Sequence, residues 1–191
     1  KFKTVRYKNF LSTGNKPTEI VIDDTRTTLM IGTNGAGKST FLDAISFGLF
    51  GKPFRKVKLG QLINSINQKN CEVELEFEVG GKEYLIKRGL KPAKFEIYVN
   101  GAMNDQMASA RDSQDFLERY VLRMNERSFR QIVVLGSGSF IPFMRLGAGD
   151  RRSIIEELLD IQIFSVMNDL VKTRIGDNAV NLTECEHQIE L

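Results

Sequence analysis

The residues best suited to chemistry in this 191-residue chain form one glycine-rich segment, Gly32-Thr33-Asn34-Gly35-Ala36-Gly37-Lys38-Ser39, followed by Thr40. Its pattern is G-x-x-x-x-G-K-[ST], in which glycines let successive backbone N–H groups turn inward onto a phosphate. The N-terminus of a following helix adds partial positive charge. Lys38 is expected to reach the β- and γ-phosphates as the catalytic residue, and the Ser39 hydroxyl to coordinate Mg²⁺. The motif therefore predicts an ATP and Mg²⁺ site formed by Asn34, Gly35, Ala36, Gly37, Lys38, Ser39 and Thr40.

The segments around this motif predict the elements that a P-loop requires. The apolar run Leu29-Met30-Ile31 predicts a buried strand that ends at Gly32. Apolar residues at helical spacing predict a helix from Lys38 to Phe50 that packs on a sheet. Alternating apolar and polar residues predict two further strands, at 2–7 and 19–22. We therefore expect an α/β fold of the P-loop NTPase class.

A β-meander is expected after the P-loop helix. From Cys71 to Val79 apolar residues alternate with glutamates, which is typical of a half-buried antiparallel strand with a solvated acidic face. Gly80-Gly81 predicts a turn into a strand at 82–88, and Asn100-Gly101 ends another strand at 95–99. The remainder is predicted to be helical at 112–122, at 126–134 and from about residue 149 to the last residue.

The last helical stretch carries a heptad-like stripe. The stripe occupies positions 161, 164, 168, 171, 175, 178, 182, 185 and 189, and only Asn168 and Asn178 on it are polar. Such spacing predicts the start of a coiled coil, although a long surface helix of the same domain would show it too. We therefore divide the chain into an N-terminal lobe, 1–160, and the start of a coiled coil, 161–191.

Hydrolysis of a nucleotide requires groups beyond the P-loop, usually an Asp at the end of a buried strand and a group that positions water. The segment Ile20-Val21-Ile22-Asp23-Asp24 lies close to the P-loop strand and is interpreted as its antiparallel neighbour, while Leu158-Leu159-Asp160 lies in a helical pattern. The glutamates at 72–78 do not indicate nuclease chemistry. The chain is therefore expected to contain half of a catalytic site.

Composition and charge indicate whether the chain could bind DNA, hold a metal ion or span a membrane. The net charge of +3 favours a polyanionic partner only weakly. Basic residues at Lys52, Arg55, Lys56 and Lys58, and a second cluster at 87–94, suit sequence-independent contacts with DNA phosphates, although solvated surface is the alternative. Two separated cysteines and one histidine argue against a Cys/His metal site, and no apolar run is long enough to span a membrane.

Several segments resemble one family. Val5-Arg6-Tyr7-Lys8-Asn9-Phe10-Leu11-Ser12, and the P-loop running into Phe41-Leu42-Asp43-Ala44-Ile45, resemble the N-terminal lobe of SMC-type ABC ATPases, above all SbcC and the RAD-fifty repair ATPases. Segments 48–55, 60–65 and 131–136 are similar to the large subunits of T-even phage recombination endonucleases. The likeness covers essentially the whole chain.

This resemblance implies an ATP-binding half of a repair or recombination ATPase head. A C-terminal lobe of the same protein would supply Walker B, the signature motif and the catalytic Glu. Two ATP-bound heads would form a homodimer, and a metallonuclease of SbcD type would be regulated at double-stranded DNA ends. ATP hydrolysis would be DNA-dependent and the location the cytoplasm, of the host if the protein is phage-encoded.

The resemblance also implies individual residue roles. Asn64 would contact ATP, and Ser137 would stand where relatives place the Q-loop Gln, near Mg²⁺. Leu11 replaces an Arg that relatives often carry near the nucleotide. Two alternatives stay open at this stage: an SMC-like structural DNA tether without a nuclease, and an ordinary P-loop kinase or transporter-type ATPase.

Overall fold

Six strands form one antiparallel sheet: β1 (Phe2–Lys8), β2 (Thr18–Val21), β3 (Cys71–Val79), β4 (Lys82–Leu90), β5 (Lys94–Val99) and β6 (Ala102–Met103). Their order across the sheet is β2-β1-β3-β4-β5-β6. The structure is a computed structural model, and it describes residues 1–104, 109–134, 143–159 and 161–189. The predicted meander is confirmed, and it continues the sheet that β1 and β2 begin because β1 pairs with both β2 and β3.

The helices are α1 (Lys38–Phe50), α2 (Ala110–Phe116), α3 (Glu126–Ile132), α4 (Ala148–Leu158) and α5 (Gln162–Ile189). A π-helical turn, Leu117–Leu122, continues α2, and single 3₁₀ turns cover Leu59–Leu62 and Phe143–Arg145. The described residues form two compact units, Lys1–Glu126 and Arg127–Leu191. The predicted boundary after residue 160 falls between α4 and α5 and stays a prediction about domain organisation.

The core of the first unit lies between α1 and one face of the sheet. Along β3 the apolar side chains Val73, Leu75 and Phe77 are buried, as the period of two predicts. Gly48 of α1 packs directly on Leu75, so the helix lies close against this face. The sheet thereby holds the P-loop helix in a fixed position.

The opposite face of the sheet is a ladder of ion pairs. The β3 glutamates alternate away from the core, and basic residues of β1, β4 and β5 lie opposite them. Glu72 pairs with Lys8 and Lys94, and Glu74 pairs with Lys87. The acidic face is thus neutralised by neighbouring strands rather than simply solvated, and two lysines of the second basic cluster are engaged there.

The predicted strand before the P-loop is wrong. Residues 29–31 are not a strand, and Leu29 and Ile31 are 79% and 83% exposed. A strand requires a neighbour to pair with its backbone, and in residues 1–104 no strand pairs with this segment. The strand before it, β2, is at the edge of the sheet and pairs with β1. The interpretation of 20–24 as an antiparallel neighbour of the P-loop strand is wrong for the same reason.

The last helical stretch is two helices rather than one. α4 ends at Leu158 and α5 begins at Gln162, and the two contact each other through Ser165, whose hydroxyl donates to Glu156 at 2.8 Å. α5 is 28 residues long and carries many exposed apolar side chains, among them Phe164, Val171 and Ile175. The coiled coil itself stays a prediction.

Candidate functional site

The P-loop adopts the backbone shape that a phosphate cradle requires. Gly35 and Gly37 have φ values of +88° and +95°, in the left-handed region that side chains disfavour. Gly37 is the N-cap of α1 and supplies no side chain, so the first turn of the helix is open to a ligand. No acidic residue stands in that first turn. The N-terminal end of α1, which is the positive end of the helix dipole, therefore faces a site with no carboxylate among the described residues that line it.

Lys38 lies across the loop. Its ammonium group donates hydrogen bonds to the carbonyl oxygens of Gly32 and Thr33, the second at 2.8 Å. An ammonium group has three donor positions, so one remains for a further acceptor. The side chain thus connects the start of the loop with the helix and keeps its charge at the mouth of the site.

A cavity of about 380 Å³ opens at this helix N-terminus. It is lined by Leu11, Ser12, Asn34, Gly35, Gly37, Lys38, Ser39, Thr40 and Arg55. Six of the seven residues predicted from the motif thus meet at one cavity, Ala36 being absent from its lining. Ser39 presents an exposed hydroxyl there, as a Mg²⁺ ligand must, whereas Thr40 is buried.

The structure places Arg55 in this cavity, although sequence reasoning assigned it to DNA. The position is fixed by Asp43, which is 0% exposed. Its carboxylate accepts from the Arg55 backbone N–H at 2.9 Å, from Nε at 2.7 Å and from Nη2 at 2.6 Å. Three donors and an opposite charge offset the cost of burying this carboxylate. A carboxylate among apolar residues of the helix was the available sequence signal for such a buried partner.

The other predicted contacts lie elsewhere. Asn64 is buried, does not line the cavity, and donates its side-chain amide to the Leu11 carbonyl at 3.1 Å. Lys52 pairs with Glu126 at 3.4 Å, while Lys56 and Lys58 form no ion pair within the described residues. Ser137 lies outside the described residues. None of the helices in the described ranges has the length and apolar character to cross a bilayer.

The far end of α1 is capped by a cation. Arg88 of β4 donates from Nε to the Gly48 carbonyl at 3.1 Å, and its guanidinium stacks 3.6 Å from the centre of the Phe95 ring. Burial lowers the pKa of Arg88 to about 10, so the group stays charged at neutral pH. A cation is favourable at a helix C-terminus. The positive, N-terminal end of the helix dipole therefore faces the cavity, and its negative, C-terminal end faces the cation of Arg88.

Comparison with known families assigns the chain to one of them. The family model described as an AAA domain matches residues 4–189. The chain belongs to this AAA domain family. The match includes the P-loop, α1, all of α5 and the sheet apart from the first two residues of β1, so this family covers both units of the structure.

Individual relatives show which proteins this chain is similar to. The chain is 49% identical over 177 residues to exonuclease subunit 2 of Escherichia phage RB69, covering 93% of this chain and 31% of the relative. It is 49% identical over 175 residues to exonuclease subunit 2 of Enterobacteria phage T4, with 92% and 31% covered. The Rad50 ATPase of Thermoplasma acidophilum, described as a DNA double-strand break repair protein, is 29% identical over 97% of this chain and 20% of its own length.

The resemblance to SMC, SbcC and Rad50 proteins expected from the sequence is thereby confirmed. The chain spans less than a third of the length of these relatives. A solved structure reported as "structural biochemistry of ATP-driven dimerization and DNA stimulated activation of SMC ATPases" superposes with a TM-score of 0.57 at 24% identity, covering 82% of this chain and 98% of its own. That likeness supports the P-loop NTPase fold.

Proposed function

We propose that this chain is the ATP-binding half of the head of a DNA double-strand-break repair or recombination ATPase. Its role is to bind ATP with Mg²⁺, to drive engagement of two heads, and to regulate a partner nuclease at DNA ends. One observation carries the proposal: a P-loop cavity with two cationic side chains, Lys38 and Arg55, lies on a chain that is 49% identical in sequence to a phage exonuclease subunit. The names of those relatives favour a nuclease partner over an SMC-like tether without one.

Each group at the cavity has a distinct task in this proposal. The N–H groups of the loop and the first turn of α1 bind phosphate oxygens, and Lys38 neutralises charge on the β- and γ-phosphates. Ser39 would hold Mg²⁺, which when bound would supply positive charge beside the terminal phosphates. The described residues contain no cluster of carboxylates and imidazoles able to hold a metal alone, so the ion would arrive with the nucleotide.

The site needs a second part to hydrolyse ATP. In the described residues the cavity lining includes no carboxylate that could order the Mg²⁺ shell or position water. The exposed apolar segment Leu29–Ile31 next to the P-loop offers a place where a strand from a C-terminal lobe would pair. We propose that this lobe belongs to the same protein and brings the missing carboxylates.

ATP turnover tests the proposal. We expect this chain alone to bind ATP with Mg²⁺ and barely hydrolyse it, and the full-length protein to hydrolyse it in a DNA-dependent manner. Lys38→Ala in the full-length protein should abolish turnover, because the γ-phosphate loses its cation. Rapid hydrolysis by this chain alone would mean a complete catalytic site within it and would refute the two-part head. Copurification of a metallonuclease with the full-length protein would distinguish the nuclease complex from a tether.

A further inference from the structure

Two loops beside the cavity are locked together by backbone hydrogen bonds. The first loop, 9–15, follows β1, and the second, 62–70, precedes β3. Leu11 donates its N–H to the Leu62 carbonyl at 2.6 Å, and Asn64 donates its N–H to the Asn9 carbonyl at 2.8 Å. Phe10 also forms a bridge with Ile63. The second loop therefore fixes the path of the first.

Leu11 occupies a backbone conformation that its residue type disfavours. Its φ is +53°, in the left-handed region where a Cβ crowds the following carbonyl. Strained residues of this kind persist where the surroundings hold them, and they concentrate at functional sites. Here both backbone polar groups of Leu11 are bound: the N–H by Leu62, and the carbonyl oxygen by the side-chain amide of Asn64 at 3.1 Å.

The side chain of Asn64 joins its own turn to the backbone of Leu11. Its side chain is buried, and its Oδ1 accepts from the backbone N–H groups of Ile66 and Asn67, each at 3.0 Å. With the acceptor end used in its own turn, the donor end points at Leu11. The orientation of the amide is therefore determined by three hydrogen bonds, and Asn64 does not line the cavity.

The strained turn forms one wall of the cavity, which Leu11 and Ser12 line. The P-loop, Lys38 and Arg55 provide the donors and cations that phosphates need, and the isobutyl group of Leu11 offers no such group. An apolar side chain stabilises a bound ligand by covering apolar surface, which in a nucleotide means the base. The wall at Leu11 is therefore suited to the nucleoside end of the ligand.

We infer that Asn64 is a positioning residue for nucleoside recognition: it holds the strained Leu11 turn against the base without contacting the nucleotide. This inference rests on the proposed function, since it requires ATP in the cavity. It differs from a general structural role because it predicts that the affinity for the nucleoside changes while the affinity for the phosphates does not.

The test compares two ligands in the full-length protein, ATP and inorganic tripolyphosphate, each with Mg²⁺. Asn64→Asp keeps both acceptor bonds but places an oxygen against the Leu11 carbonyl. It should weaken ATP binding by at least about fivefold, because the variant loses one hydrogen bond and gains an oxygen–oxygen repulsion, and leave tripolyphosphate binding within about twofold. Gln68→Glu is the matched control: it makes the same chemical change in the same loop, where the amide donates only to Ser65, and neither affinity should change.

A double variant tests whether Asn64 affects ATP affinity through Leu11. Leu11→Gly removes the apolar wall, so adding Asn64→Asp to it should produce no further loss of ATP affinity. If Asn64→Asp does not fold, Asn64→Ser replaces it, because a serine hydroxyl can accept in the turn but cannot reach Leu11. Equal loss of both ligands, loss of neither, or full additivity in the double variant would overturn the inference. Failure of the unsubstituted protein to bind ATP would instead overturn the proposed function.

Discussion

Asp43 and Arg55 show how one buried carboxylate can determine the electrostatics of a ligand site. Asp43 lies on the P-loop helix, and Arg55 lies beyond its end, so the ion pair ties the basic segment back to the phosphate end. Arg55 remains about half exposed, which leaves part of its guanidinium available to a ligand. Lys38 and Arg55 together place two positive charges at the cavity, where a triphosphate with its metal carries excess negative charge.

Arg55→Ala should weaken Mg-ATP binding by about tenfold, since charge-assisted hydrogen bonds contribute more than neutral ones. Lys56→Ala is the neighbouring control, because Lys56 does not line the cavity and its loss should leave the affinity unchanged. Equilibrium titration with a fluorescent ATP analogue in the full-length protein measures both. An unchanged affinity for Arg55→Ala would remove this residue from the site.

Because of Cys71, the free energy of unfolding should decrease as pH rises above 9. Its thiol is buried, and burial, with a smaller contribution from Glu72, raises its pKa from 9.0 to about 12. A raised pKa in the folded state means that the contribution to stability is complete below pH 9 and is lost as pH rises toward 12. The slope is at most about 1.4 kcal/mol per pH unit. Urea unfolding between these pH values should show a smaller decline for Cys71→Ala than for Cys185→Ala, whose thiol is exposed.

Elements whose pattern is local were predictable, and elements that depend on a distant partner were not. α1 and the strands β3 to β5 follow from spacing and turn residues within each segment, and Asn100-Gly101 forms its turn with φ values of +49° and +81°. The apolar run at 29–31 has the same local signature, yet nothing in the pattern says whether a neighbouring strand exists. The Asp43–Arg55 pair joins residues 12 apart across the end of α1, and the Asn64–Leu11 bond joins residues 53 apart. The periodicity within a single element could therefore reveal neither contact.

The packing of α1 on β3 depends on the absence of a side chain at Gly48. A Cβ there would lie 2.7 Å from Leu75 Cγ, inside van der Waals contact and within a closed core. Gly48→Ala should therefore destabilise the protein by about 1–3 kcal/mol, as overpacking typically does. Gly60→Ala, where a Cβ would meet nothing within 4 Å, is the control. Urea denaturation measures both, and equal stability of the two variants would mean that the helix shifts without cost.

At the scale of the whole molecule, some lysines form ion pairs within the protein and others are available to contact DNA phosphates. On the outer face of the sheet, Lys87 and Lys94 are paired with glutamates on β3. In the loop after α1, Lys56 and Lys58 form no ion pair with any described residue. Counterion release requires positive charge that is not already neutralised. The loop after α1 is therefore the better candidate for DNA contact.

Replacing Lys56 and Lys58 together by alanine should weaken binding to a double-stranded oligonucleotide and lower the slope of log affinity against log salt by about 2, one unit for each phosphate contact. The paired variant Lys87→Ala with Lys94→Ala should change neither quantity, because those ammonium groups already have carboxylate partners. Fluorescence anisotropy of the full-length protein over a range of salt concentrations measures both. A larger effect from the second pair would place the DNA on the sheet.

The stretch between β2 and α1 has a consequence for proteolysis. Residues 24–29 are exposed, include Arg26, and have no strand beside them in the described residues. A protease binds its substrate as an extended strand, and unpaired, accessible backbone is what it requires. A partner strand paired at Leu29 would withdraw that backbone. The rate of tryptic cleavage after Arg26 would then report the fraction of molecules in which a partner strand is paired at Leu29. This rate can be followed in a crude mixture, without purification.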